Sequence, residues 1–132
     1  MSKIRVLFIE DEIEFVKDLS AILGAEGFEV AATTDIAEAM RLFASQDFDV
    51  VLTDIAMPPG KDMDEKAVMY GRETGIEVIK RIRALKPHVP IVVLTVIRDQ
   101  EIVSSIRKAG VRQILHKPQE VKQIVEALKK VH

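Results

Sequence analysis

The feature that most constrains this chain is a fivefold alternation, in which a short, β-branched apolar run is followed each time by a longer segment with apolar residues at helical spacing. The runs are Ile4 to Ile9, Phe28 to Ala32, Val50 to Asp54, Ile91 to Thr95 and Gln113 to His116. The helical segments carry Phe15, Val16, Leu19, Ile22 and Leu23, then Ile36, Ala39, Met40 and Phe43, then Val78, Ile79, Ile82 and Leu85. Two more follow with Ile102, Val103, Ile106 and Ala109, and with Val121, Ile124, Val125 and Leu128. Strands with no face reserved for water belong in a parallel sheet covered on both sides, so the pattern predicts an α/β fold of five (βα) units. Asp35 with Glu38 and Thr74 with Glu77 read as capping boxes, and Gly24, Gly27 and Gly110 fall where helices should stop. One segment breaks the rhythm. Ile55 to Glu73 is a long connection holding Pro58, Pro59, Gly60 and Gly71, and long connections in compact domains are usually functional or disordered.

The 132 residues, 48% of them apolar, suit one domain spanning residues 1–132 that buries its own core. A net charge of −2, from 19 basic and 21 acidic side chains, offers no broad footprint for nucleic acid or an anionic membrane. The absence of cysteine excludes disulfides, thiolate metal sites and thiol nucleophiles, and it suits a reducing cytoplasm. No apolar run approaches the ~20 residues that cross a bilayer, and the N-terminus reads as unprocessed.

In an open parallel sheet, ligands bind beyond the C-terminal ends of the strands. The polar residues that fall there are Glu10 and Asp11 after the first strand, Asp54 at the third, Thr95 at the fourth and Lys117 after the fifth. Crowded carboxylates repel one another unless a cation neutralises them. Oxygen ligands without His or Cys favour Mg²⁺ or Mn²⁺, which would share its coordination with phosphate oxygens. Lys117 adds a point charge and Thr95 a hydroxyl donor, which leaves Asp54 as the nucleophile of a phosphoryl transfer giving an aspartyl phosphate. Taken alone, the acidic pair reads equally well as a helix cap, and Thr95 as an ordinary strand end. Their joint register with Asp54 and Lys117 favours the site.

At Ile9-Glu10-Asp11-Glu12, Thr53-Asp54-Ile55-Ala56-Met57-Pro58, Val93-Leu94-Thr95, Ala109-Gly110 and Leu115-His116-Lys117-Pro118, the sequence resembles the receiver domains of bacterial two-component response regulators. The resemblance covers essentially the whole chain. It implies a flavodoxin-like (βα)5 fold, doubly wound, with strand order 2-1-3-4-5. Asp54 would be the phosphoacceptor, and Glu10, Asp11, Asp54 and the Ala56 backbone carbonyl would hold Mg²⁺. Thr95 and Lys117 would contact the phosphoryl group, and the Lys117-Pro118 bond would be cis. The chain would act as a stoichiometric phosphoacceptor with slow self-dephosphorylation rather than as an enzyme. A sensor histidine kinase or phosphotransfer protein would supply the phosphoryl group, and an output partner that the sequence does not name would read it.

Three departures from the family stand out. Ile114 occupies the position of the switch aromatic, so Thr95 must couple to a different packing change. Val96 follows Thr95 where relatives often have a smaller residue. The stretch from about Pro59 to Glu73 is roughly a dozen residues longer than the usual loop before the Gly matching Gly75. It is expected to lie over the phosphorylation site, with Lys61, Lys66, Tyr70 and Arg72 as candidate contacts. Two other readings compete: a receiver-like interaction module that does not switch, and an aspartyl-phosphate phosphatase. The second lacks an Asp-x-Asp pattern on the first strand, and a nucleotide or flavin module would lack its Gly-rich turn.

Overall fold

The computed structural model describes residues 3–131, without the Tyr70 side chain. The elements run β1 (Arg5–Ile9), α1 (Ile13–Ala25), β2 (Glu29–Thr33), α2 (Ile36–Ser45) and β3 (Val50–Thr53). After a short 3₁₀ turn at Met69–Gly71 come α3 (Thr74–Leu85), β4 (Ile91–Thr95), α4 (Gln100–Lys108), β5 (Gln113–His116) and α5 (Val121–Val131). All ladders are parallel, and the sheet order is β2-β1-β3-β4-β5. That is the doubly wound order expected.

Alternation along the strands divides the core in two. Leu7, Ile9, Val51, Ile91 and Val93 face one layer with Ala39, Phe43, Ile79, Ile82 and Ile106 of α2, α3 and α4. Val6, Phe8, Val50, Leu52, Val92 and Leu94 face the other, with Leu19 and Leu23 of α1 and Ile124 and Leu128 of α5. The central strands are therefore buried on both faces, which is why they carry no polar alternation.

A helix end explains the shift of β2. Gly27 adopts φ +97°, and the Phe28 amide reaches back to the Leu23 carbonyl while that of Gly27 reaches Gly24. This Schellman arrangement consumes Phe28, so β2 starts one residue later than the apolar run suggests. Gly110 at φ +91° ends α4 in the same way, with Val111 bonded to Ile106. Gly24 stops nothing and lies within α1. Asp35 does cap α2, accepting the Ala37 amide. The Thr74 cap is a correction: α3 begins at Thr74 itself, whose hydroxyl is buried without a partner. The Gly75 amide instead donates 2.8 Å to the Ile55 carbonyl, so the end of β3 supplies the acceptor that a capping side chain would have offered.

The long connection is pinched at its base. The Met57 amide donates 2.9 Å to the Gly71 carbonyl, and Gly71 sits at φ +104° where a Cβ would meet the Met57 oxygen at 2.9 Å. Residues 57–71 thus form a closed excursion of the Ω-loop kind, which buries Met57, Met63 and Val68 in the layer shared with α2 and α3.

Candidate functional site

Three site residues are placed by a strand end that runs one hydrogen bond beyond its ladder. The Glu10 amide bonds to the Thr33 carbonyl, that of Asp54 to Ile9, and that of Lys117 to Thr95. Parallel registry then brings all these side chains to one edge of the sheet. The Lys117 ammonium donates 2.6 Å to Glu10 and 3.0 Å to Asp54. The two carboxylates are almost completely buried, at 2% and 6% side-chain exposure. Asp54 also accepts the Ile55 amide at 2.6 Å, and Glu10 accepts the amides of Asp11 and Glu12. Asp11 is exposed, and a carboxylate oxygen from each of Glu10, Asp11 and Asp54 lies within 4.8 Å of the others. Thr95 is fully buried, its hydroxyl accepting the Ile97 amide.

Taking charge out of water dominates the electrostatics. Burial pushes the Glu10 carboxyl up from 4.5 to about 7; the Lys117 hydrogen bond opposes the rise, and the Asp54 charge adds to it. For Lys117 burial favours the neutral amine, but the hydrogen bonds to Glu10 and Asp54 outweigh it and its pKa is raised. Because folded Glu10 keeps its proton to higher pH than the unfolded chain does, it stabilises the fold most at low pH. Without divalent cations, that contribution is expected to be lost between about pH 4.5 and 7, and about 3 kcal/mol of stability with it. Urea unfolding at pH 5 and pH 8 in a chelator measures the loss, and Glu10→Gln should flatten it. An equally steep fall in that variant would assign the effect to another group.

Two buried carboxylates, a lysine bridging them and a buried hydroxyl occupy the ends of four parallel strands. The sequence profile of the response regulator receiver domain matches residues 6–129. The chain belongs to the response regulator receiver family. Over 128 residues the receiver is 31% identical to the chemotaxis protein CheY of Thermotoga maritima, covering 96% of both chains. It is 30% identical to the transcriptional regulatory protein ZraR of Salmonella typhimurium, covering 97% of this chain but only 26% of that protein. The receiver thus spans about a quarter of the length of the first curated relatives it matches. A solved response regulator from Burkholderia pseudomallei, with a phosphorylated aspartic acid, a calcium ion and citrate, superimposes with a TM-score of 0.77 at 25% identity, covering 96% of this chain and 66% of that one. Receiver domains are phosphoacceptor switches: they take phosphoryl groups from kinases and act on output partners.

The donor set fits the divalent cation that receivers hold at an acidic pocket, because it is all oxygen and gathers three carboxylates. Ala56 is half-buried two residues after Asp54. The Lys117-Pro118 bond is cis. Ile114 is half-buried on β5, opposite Val93, and packs on the α3 and α4 side of the core. Val96 is 61% exposed.

The 57–71 excursion packs along α2 and α3. Its described contacts are with α2 and α3: Gly60 lies against Ile36 of α2 and Asp62 pairs with Arg81 of α3 at 3.0 Å, while Arg72, just past the excursion, pairs with Asp99 at 3.8 Å. Asp99 is the cap of α4, accepting the Glu101 and Ile102 amides. Burial of Met57, Met63 and Val68 draws the loop toward α2 and α3. Lys61 and Lys66 stay exposed, and no described hydrogen bond or ion pair joins either to Asp54, Glu10 or Lys117. The Tyr70 ring lies outside the described residues.

Two residues carry more than their sequence signal gave away. Phe15, an apolar position of the first helix, puts its ring 4.7 Å from the Lys117 ammonium. Gly75 stands where a Cβ would meet the Asp54 carbonyl oxygen at 2.3 Å and the Ile55 Cα at 2.5 Å. Glycine there lets α3 close against the backbone that carries Asp54.

Proposed function

We propose that Asp54 is the phosphoacceptor of this receiver. The observation that carries the reading is the Lys117 ammonium held between Asp54 and Glu10. Such a charge lies where it can follow a developing phosphoryl oxygen. One Asp54 oxygen attacks phosphorus, forming a P–O bond as the bond to the donor breaks, and the leaving group departs with the electron pair. The donor is a sensor histidine kinase, a phosphotransfer protein or a small acyl phosphate. Glu10, Asp11, Asp54 and the Ala56 carbonyl would hold Mg²⁺, or Mn²⁺ in its place, and the ion would neutralise charge on the phosphoryl oxygens. Thr95 offers its hydroxyl to a further oxygen, moving off the Ile97 amide, and that release couples the site to the segment leading into α4. The phosphorylated aspartic acid and bound calcium of the Burkholderia regulator support this assignment. The product is a stoichiometric, slowly self-hydrolysing signal in the cytoplasm, read by an output partner.

Incubation with acetyl phosphate and Mg²⁺ should add one phosphoryl group, and peptide mapping should place it on Asp54. Chelation or Asp54→Asn should reduce the modification to background. Modification persisting in Asp54→Asn would refute the assignment.

A further inference from the structure

We propose that Phe15 is a positioning residue for Lys117, confining its ammonium by a cation–π contact while Asp54 changes from carboxylate to acyl phosphate. The inference rests on the reading of Asp54 as phosphoacceptor. An ammonium has three N–H donors. Glu10 takes one at 2.6 Å and Asp54 another at 3.0 Å, and the Phe15 ring centroid lies 4.7 Å from the nitrogen. The face of a benzene ring is negative and attracts a cation at this range. The ring is itself held, meeting buried Phe8 edge-on with centroids 6.1 Å apart and planes at 76°.

Beyond the ring, space is open. A hollow of about 390 Å³ is lined by Phe15, Leu94, Val96, Lys117, Pro118 and Ile124, so the lysine stem has room to swing outward. Phosphorylation removes one of the two anions that hold it, because the Asp54 oxygen becomes part of an acyl phosphate. The ammonium must then pass from a carboxylate oxygen to a phosphoryl oxygen. The ring contact depends on neither oxygen and persists through the exchange. It keeps the charge at the reacting edge instead of in the hollow.

Phe15→Leu keeps an apolar side chain of similar reach and should slow phosphorylation by acetyl phosphate at saturating Mg²⁺ by roughly three- to tenfold. Phe15→Tyr should recover most of the rate. Mono-, di- and trifluorinated phenylalanine at position 15 preserve shape while weakening the negative ring face, so the logarithm of the rate should fall stepwise along the series. A merely structural phenylalanine would give a flat series. In the unphosphorylated protein, the Lys117 Hε resonances should be shifted upfield by the ring and return to ordinary values in Phe15→Leu. A phosphorylated parent with a flat fluorine series, or Lys117 resonances indifferent to the substitution, overturns the proposal alone. A parent that takes no phosphoryl group overturns the reading of Asp54 and this proposal with it.

Discussion

Gly75→Ala is expected to cost the fold more than about 4 kcal/mol, a loss reserved for changes that force backbone apart or open the core. The added methyl would stand 2.3 Å from the Asp54 carbonyl oxygen and 2.5 Å from the Ile55 Cα. Both are backbone, so neither can turn aside as a flexible side chain would. Either α3 retreats and breaks the bond from the Gly75 amide to Ile55, or the end of β3 moves and takes Asp54 with it. The second route also removes phosphorylation, so the variant should lose both stability and phosphoryl uptake. Gly24→Ala is the internal control: it lies within α1 with nothing inside 4 Å of the new methyl. It should stabilise by about 0.5–1 kcal/mol through helix propensity. Urea melts of the two variants decide the matter, and near-equal midpoints would mean that α3 sits further from β3 than described.

Lys117→Met should destabilise the metal-free protein by about 3 kcal/mol above neutral pH, since it strands two buried carboxylates that had shared the one ammonium between them. The penalty should be strongly pH dependent. At pH 5 Glu10 holds its proton in the folded state, leaving one buried charge instead of two, so the variant should approach its parent. At pH 8 the difference should be largest, and Mg²⁺ should recover part of it by binding the folded state alone. Equal destabilisation at pH 5 and pH 8 would show that the lysine contributes through its aliphatic stem and not its charge.

The sheet and its site were legible because both depend on period and position. β4 and β5 are bounded as read, and the residues that end strands converge because parallel strands share one polar edge. The misreadings share another cause. Thr74 looked like a cap because its neighbours in sequence fit one, but the Gly75 amide found an acceptor at Ile55, across a long excursion. Phe15 looked like core, which it partly is, yet its other face meets a lysine from the opposite end of the chain. The expected Lys61, Lys66 and Arg72 contacts rest on charge near a strand edge, a pattern that says nothing of the burial of Met57, Met63 and Val68 in the layer shared with α2 and α3. Local pattern carries no information on which distant group completes a hydrogen bond or accepts a cation.

The closure between Met57 and Gly71 separates the length of the chain from the geometry of the sheet. Since the excursion leaves and returns through a hydrogen-bonded gate, the end of the third strand is held by the positions of those two residues rather than by the length of chain between them. Doubling the number of residues beyond the gate would add only about 0.6 kcal/mol of closure entropy. Lineages can therefore lengthen or rewrite the exposed residues of the excursion with little consequence for Asp54, as long as Met63 and Val68 keep their places in the core. Such a segment is free to diverge while the carboxylates next to it stay fixed.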